Sequence, residues 1–342
     1  MKKVPVSVIT GFLGSGKTTL INYILTQPHG YKIAIIENEF GEVGIDDALV
    51  VQANEEIFEM NNGCICCTVR GDLIRILGRL AKRKDKFDYI LVETSGMADP
   101  APVAQTFFVD DDISEQYYLD GIITIVDAKH ILQHLLEERP KDEENESVEQ
   151  IAFADRIILN KIDLLKQDES SVSLEEVKKH IQSVNKFAPI IETNHSIIPD
   201  LSSLLNIRSF DVQKILQMDP DFLKDMEHTH DTSVGSVAIV EKGMINQQLF
   251  SRWLRGLLSE KGADIYRSKG IVKSQELADE DSQITNSNEE FVMVFQGVHM
   301  MMDMKVMPVA KSKVGNVNKL VFIGKNLNRQ ELEQGFRNCL QE

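Results

Sequence analysis

Gly11-Phe12-Leu13-Gly14-Ser15-Gly16-Lys17-Thr18 follows the pattern G-x-x-x-x-G-K-[ST]. Before it runs Val4-Pro5-Val6-Ser7-Val8-Ile9-Thr10, an apolar strand-like segment. After it, Thr19-Leu20-Ile21-Asn22-Tyr23-Ile24-Leu25 spaces its apolar residues as a helix does. A strand, a glycine turn and a helix N-terminus aim several backbone N–H groups at one point, and such a cradle holds phosphate. Gly14 and Gly16 supply backbone angles that a Cβ would penalise. In this P-loop, Lys17 is placed to reach the outer phosphates of a nucleotide and the Thr18 hydroxyl to ligate Mg²⁺. The nucleotide-contacting set is Gly11, Gly14, Ser15, Gly16, Lys17, Thr18 and Thr19.

Outward from the loop, apolar strands alternate with helical spacing. Lys32-Ile33-Ala34-Ile35-Ile36-Glu37, Phe87-Asp88-Tyr89-Ile90-Leu91-Val92-Glu93, Gly121-Ile122-Ile123-Thr124-Ile125-Val126-Asp127, Asp155-Arg156-Ile157-Ile158-Leu159-Asn160 and Ile190-Ile191-Glu192 read as strands. Helices are expected around Leu73, Ile74, Leu77 and Leu80 and over 174–187, and the acidic stretch 137–149, interrupted by Pro140, reads as a solvated loop or helix end. Strands that are apolar throughout and alternate with helices predict a doubly wound, mostly parallel sheet covered on both faces. Ligand residues then gather at the carboxyl ends of the strands, where Glu37, Glu93, Asp127 and Asn160 fall.

The character changes after a polar stretch without periodicity. The expected division is a P-loop domain over 1–210, a linker over 211–233 and a smaller α+β domain over 234–342. In that last part strands are expected at Val237-Ala238-Ile239-Val240, Asp264-Ile265-Tyr266-Arg267, Phe291-Val292-Met293-Val294-Phe295 and Lys319-Leu320-Val321-Phe322-Ile323, with helices near 246–259 and 329–340. The length of 342 residues fits two domains. No apolar run is long enough to span a bilayer, and Met1-Lys2-Lys3 leaves no room for a leader before the first strand, so a cytoplasmic protein is expected. A net charge of −16 speaks against nucleic acid and anionic membrane as partners.

Asn160-Lys161-Ile162-Asp163 is the second motif. Guanine offers adjacent N–H donors on its Watson–Crick edge and one carboxylate can accept both, whereas adenine has an acceptor at one of those places. Asp163 therefore selects guanine, with Asn160 and Lys161 beside it. Glu93, closing an apolar strand, stands where P-loop proteins place a carboxylate near Mg²⁺ or the attacking water, so Lys17 and Glu93 are the expected catalytic pair.

Three of the four cysteines crowd into Cys64-Ile65-Cys66-Cys67. That is no disulfide framework and points to metal or redox chemistry. Cys64 and Cys66 share a side in extended backbone, a turn brings in Cys67, and a nearby helix start favours the thiolates. Three thiolates, or two and a carboxylate, suit Zn²⁺ with a position left open. Glu37, Glu42 and His130 are the candidate further ligands. Oxidation of Cys66 with Cys67 is the rival chemistry, strained for adjacent residues. Cys339 reads as a core residue, His228-Thr229-His230-Asp231 as a polar linker tract with metal capture as its alternative, and Met300-Met301-Met302 as sheet and core packing rather than a copper site.

Together, residues 11–18, Glu37-Asn38-Glu39-Phe40-Gly41-Glu42, Gly63-Cys64-Ile65-Cys66-Cys67, Glu93-Thr94-Ser95-Gly96 and residues 160–163 resemble the CobW-type GTPases, relatives of the GTPases that insert nickel into urease and hydrogenase. Phe295-Gln296-Gly297-Val298-His299 and Leu320-Val321-Phe322-Ile323-Gly324 look like that family's second domain, so the resemblance covers nearly the whole chain. It implies a GTPase metallochaperone cycling between GTP and GDP with Mg²⁺, holding Zn²⁺ or Co²⁺ at the cysteine site for a client metalloprotein. It also implies that residues 37–46 act as a switch. A homodimer is compatible with it. Two features depart from the family: the long His-rich tract of many members is reduced to His228 and His230, and the client-docking motif of the eukaryotic zinc-transferase branch is absent before Val4. The rival readings are an ATP-dependent P-loop kinase, which Asp163 opposes, and a zinc buffer or thiol sensor that uses no nucleotide.

Overall fold

The strands β1 (Val4–Thr10), β2 (Ile33–Asn38), β3 (Ile57–Met60), β4 (Tyr89–Glu93), β5 (Tyr117–Asp127), β6 (Arg156–Asn160) and β7 (Ile190–Glu192) form one sheet in the order β3-β2-β4-β1-β5-β6-β7. Every neighbouring pair in it is parallel. The computed structural model describes residues 3–38, 57–60, 67–83, 86–137, 145–166, 172–209, 234–274, 289–310 and 317–341. The chain divides into two compact units, Met1–Ser209 and Phe210–Glu342. The expected linker at 211–233, with His228 and His230, lies outside the described residues.

The continuous apolar runs are explained by burial on both faces: all seven residues of β1 are buried. On one face α1 (Lys17–Thr26) lays Leu20, Ile21 and Ile24 against Ile9, Ile35, Leu91 and Ile125, and Leu204, Leu205 and Ile207 complete that layer. The chain leaves β1 through α1 toward β2 on one side. It travels the other way across the sheet through α2 (Cys67–Ala81), α3 (Ala101–Val109), α4 (Asp111–Gln116), α5 (Ile131–Leu135), α6 (Glu146–Phe153) and α7 (Leu174–Val184). Right-handed crossovers place those helices on the opposite face from α1. The crossover after β1 therefore lies opposite those after its neighbours β4 and β5, and the crevice at such a reversal is where open α/β sheets take ligands.

Two local readings need correction. Of the two readings of 137–149, helix end holds for its last residues and solvation does not, because Asn145 caps α6 by accepting from Val148 N, and Val148, Ile151 and Phe153 are buried. Even Glu149 is buried, so the acidic run misled a composition-based reading. α7 stops at Val184 rather than 187. Asn185, fully buried, turns its amide to the carbonyls of Ile151, Ala152 and Ala154, and its Oδ1 accepts from Phe187 N and Ala188 N.

A polar knot crosses the middle of the sheet. The Tyr89 hydroxyl donates to Asp120 Oδ2 at 2.6 Å and lies 2.6 Å from Ser7 Oγ, while Ile207 N and Arg208 N donate to the same carboxylate at 2.8 Å each. Burial, followed by the Asp120 charge, holds the Tyr89 phenol well above its ordinary pKa, so it stays a donor. Tyr89→Phe removes one donor from a fully buried carboxylate and is expected to lower stability by about 1–3 kcal/mol. The urea midpoint read by far-UV circular dichroism tests this, since the sole tryptophan, Trp253, lies in the other unit and does not report on Tyr89.

The second unit is a five-stranded antiparallel sheet, β11-β10-β9-β12-β8, built from β8 (Val234–Glu241), β9 (Ile265–Lys273), β10 (Glu289–Val298), β11 (Met301–Ala310) and β12 (Asn318–Lys325). Two helices, α8 (Gln247–Lys261) and α9 (Arg329–Arg337), pack Phe250, Leu254, Leu332 and Phe336 onto one face with Phe295, Phe322 and the buried Cys339. Burial pushes the Cys339 thiol up to about 11, which makes it inert at neutral pH. β11 enters the sequence expectations only through the sheet packing read at Met300-Met301-Met302, and its length was not foreseen. It carries Pro308, a residue that argues against a central strand but is tolerated at a sheet edge, where β11 lies. Met302 and Met304 pack against the core, whereas Met300 is exposed in the turn before β11.

Candidate nucleotide site

Four of the carboxyl-end residues come into line along one edge of the parallel sheet. Glu37 pairs in register with Glu93 across β2 and β4, Glu93 with Ile9 across β4 and β1, and Asp127 with Asn160 across β5 and β6. The glycine loop leaves β1 between them. Gly11, Gly14 and Gly16 all have positive φ, at 142°, 73° and 114°. A Cβ on Gly11 would sit 2.2 Å from Ile125 O, and one on Gly16 would sit 2.5 Å from the Asn160 amide, so these two are required by close approach as well as by angle. Gly16 caps α1 without any side-chain hydrogen bond, leaving first-turn N–H groups to a ligand. Ser15 Oγ is buried without a hydrogen-bond partner in the loop. Thr18 is half-buried and Thr19 exposed.

Lys17 is buried, and its Nζ donates to Gly11 O at 2.8 Å and Phe12 O at 3.3 Å, so the ammonium lies over the cradle. Under the loop, Thr94 Oγ1 donates to Thr10 Oγ1 at 2.8 Å. These threonines follow Glu93 and precede Gly11, and they fix β4 to β1 where the loop begins.

On the far side, Lys161 Nζ donates to Gly14 O at 2.7 Å and pairs with Asp127 at 2.8 Å, and His130 Nδ1 lies 3.0 Å from the same carboxylate. Burial pushes the Asp127 carboxyl up, but the hydrogen bonds from Lys161 and His130 outweigh it and leave it below its ordinary pKa. Asn160 holds the site together: its amide donates to Ser15 O at 2.9 Å and Ser196 Oγ at 3.1 Å, and its Oδ1 accepts from Ser196 N at 3.0 Å. The Asn160 side chain is thus engaged by protein, which makes it a positioning group. Asp163 is the second residue of the short 3₁₀ turn Ile162–Lys166. Its backbone N donates to Asn194 Oδ1 at 3.0 Å, and its half-buried carboxylate has no partner among the described residues.

Asn194 and Ser196 are absent from the sequence expectations. They follow β7 in a turn where His195 and Ser196 have φ of 52° and 56°. A polar run, Thr193-Asn194-His195-Ser196, at the carboxyl end of a sheet strand was the signal that could have found them.

Only some of the residues expected at the metal site are among those described. Cys64, Cys66 and Glu42 lie outside them, as does the side chain of Cys67, whose backbone opens α2. Glu37 is buried at the end of β2. His130, a candidate ligand with it, stands beyond β5. With β4 and β1 between, that is about 14 Å across the sheet, and its ring is turned to Asp127. Among the described residues, no group of three or more His, Cys, Asp or Glu is placed to hold a metal, and no helix is long and apolar enough to cross a membrane.

Residues 5–192 match the family described as CobW/HypB/UreG, nucleotide-binding domain, and residues 234–340 match the cobalamin synthesis protein cobW C-terminal domain. The chain is 32% identical over 368 residues to zinc-regulated GTPase metalloprotein activator 1 of Schizosaccharomyces pombe, covering 95% of this chain and 83% of that one. It is 35% identical over 277 residues to the zinc chaperone YjiA of Escherichia coli, covering 80% and 82%. The crystal structure of Zn(II)-bound YjiA GTPase from E. coli has a TM-score of 0.73 with this chain at 28% identity, with all of both chains covered.

Proposed function

This chain belongs to the CobW/HypB/UreG family, and on that premise we propose that it is a GTP-hydrolysing metallochaperone that carries Zn²⁺ or Co²⁺ to a client metalloprotein. The observation that carries the proposal is the register of Glu37 with Glu93, one strand from the P-loop strand. The run of chain that leads from Glu37 to the cysteines starts at the nucleotide edge, includes β3 beside β2, and ends where Cys67 opens α2. Cargo metal is assigned to Cys64, Cys66 and Cys67 with Glu37 and Glu42. GTP and GDP are assigned to the P-loop residues, Lys161 and Asp163, with Asn160 as the positioning group, and catalysis to Lys17 and Glu93. The cradle of N–H groups and the Lys17 ammonium fit a nucleoside triphosphate, and the Thr18 hydroxyl would hold Mg²⁺, which would neutralise charge on the phosphates. The cytoplasm is the compartment of this reading. Its partners are GTP and the client, with a homodimer compatible and neither nucleic acid nor membrane involved.

A zinc buffer or thiol sensor has no use for an ammonium over a phosphate cradle or for an unengaged Asp163. The reading predicts that metal and nucleotide occupancy are coupled. A γ-phosphate with Mg²⁺ orders a loop that hydrolysis releases. If the segment after Glu37 is that loop, Zn²⁺ affinity differs between the GTP and GDP states by about 5–150-fold, and linkage requires Zn²⁺ to change the GTP/GDP preference by the same factor. Competition against a chromophoric chelator, with a non-hydrolysable GTP analogue and then with GDP, measures it. Cys66→Ala and Cys67→Ala are expected to abolish the difference, together with the proton release that thiolate ligation requires. Equal affinities in the two states would leave a GTPase without a chaperone cycle.

A further inference from the structure

The turn after β4 is held from behind by one side chain that no motif contains. Gln150, at the middle of α6, is 1% exposed. Its Nε2 donates to Gly96 O at 3.1 Å and to Ala98 O at 3.2 Å, so both amide hydrogens are used on the same turn. Its own backbone carbonyl accepts from Thr124 Oγ1 at 2.7 Å, and Thr124 pairs in register with Thr10, the last residue before the P-loop. From the front, the turn lies against the P-loop itself: a Cβ on Gly96 would sit 2.7 Å from Leu13 N and 2.6 Å from Leu13 Cδ2. The backbone of residues 95–98 is therefore clamped between the loop proposed to cradle phosphate and a buried amide anchored to the central sheet.

We propose that Gln150 is a positioning residue that holds this turn against the P-loop and so sets how strongly the site distinguishes GTP from GDP. The inference rests on the reading of the site as one for guanine nucleotide. A β-phosphate is reached by the P-loop alone, whereas a γ-phosphate extends past it toward the elements flanking β1, of which the turn after Glu93 is one. A turn held in place gains contacts to the γ-phosphate without first losing freedom. A released turn must be ordered at the moment of binding, and only the triphosphate bears that loss. Thr94 and Thr10 fix the start of the turn independently of Gln150, so removing the amide loosens residues 96–98 and leaves Glu93 seated.

The test is calorimetric titration of the full chain with a non-hydrolysable GTP analogue and with GDP, for the wild type, Gln150→Leu and Thr124→Val. Gln150→Leu keeps the volume and removes two hydrogen bonds. It is expected to weaken the GTP analogue about tenfold while GDP changes by less than about twofold. Thr124→Val loosens the anchor while keeping the amide and is expected to shift the same ratio by about threefold; it carries the test if the leucine variant does not fold. A merely structural role would weaken both nucleotides alike, and that result, or an unaltered ratio in a folded variant, overturns the inference while the nucleotide reading stands. A wild type that takes up neither guanine nucleotide removes the reading and the inference together.

Discussion

Lys17→Ala is expected to reduce GTP turnover by about 10²–10³-fold, the loss typical of removing one preorganised group that meets developing charge. Its melting temperature is expected to stay close to that of the wild type. The side chain is buried, yet its Nζ donates to Gly11 O and Phe12 O, which are carbonyls of the loop. An ammonium placed over a ring of backbone N–H groups serves a bound anion more than the packing of the sheet. It adds one more positive group to a place already built for anions. Removing it leaves loop carbonyls that water can reach and a cradle short of its only mobile charge from the motif. Phosphate release measured beside a thermal melt separates the two effects. Turnover at the wild-type rate in a folded Lys17→Ala protein would withdraw the phosphate assignment, and with it the grounds for coupling metal to nucleotide.

The parallel sheet was legible because strands buried on both faces must be apolar at every position. β1 runs over the residues expected, 4–10, and the ends of β5, β6 and β7 carry Asp127, Asn160 and Glu192 as read. The glycine loop was legible for a different reason, since backbone angles and close approach leave few residue types able to occupy it. What stayed hidden is contact between distant residues. Asn160 reaches Ser15 across 145 positions, and Gln150 reaches Gly96 across 54; nothing in local periodicity announces either bond. A buried amide or hydroxyl looks in sequence like any polar interruption, as Gln150 on its helix and Ser196 in its turn did. The stretch 137–149 stayed open between solvated loop and helix end because the acidic first turn of α6, Glu146 to Glu149, is what a helix N-terminus favours as well as what solvated chain carries. His130 is the converse case. Chemistry allowed it as a metal ligand, but strand order, which spacing does not reveal, sets it beside Asp127 and away from Glu37.

Asp163→Asn is expected to move base preference from guanine to xanthine, with a loss of GTP affinity of roughly a hundredfold or more. Each charge-assisted hydrogen bond contributes about 1.5–3 kcal/mol, and a carboxylate facing guanine makes two. The geometry keeps Asp163 available for that work. Its backbone N is held by Asn194, Lys161 before it adopts φ of 62° and ties to Gly14 O, and Asn160 ties the strand end to Ser15 O. Asn160, Lys161 and the backbone of Asp163 are thus fixed to the P-loop or to the turn after β7, and the Asp163 carboxylate is left without a partner among the described residues. An asparagine there keeps one acceptor for the ring N–H and turns a donor toward the neighbouring ring position. Guanine has an amino group at that position, so donor meets donor; xanthine has a carbonyl, and the pair is restored. Adenine gains from neither residue. Competition of GTP, ATP and xanthosine triphosphate for the wild type and Asp163→Asn reads all three terms at once. Comparable GTP and ATP affinity in the wild type would end the guanine assignment. A variant that loses GTP without gaining xanthosine triphosphate would show that Asp163 acts on the shape of the turn, not on the base.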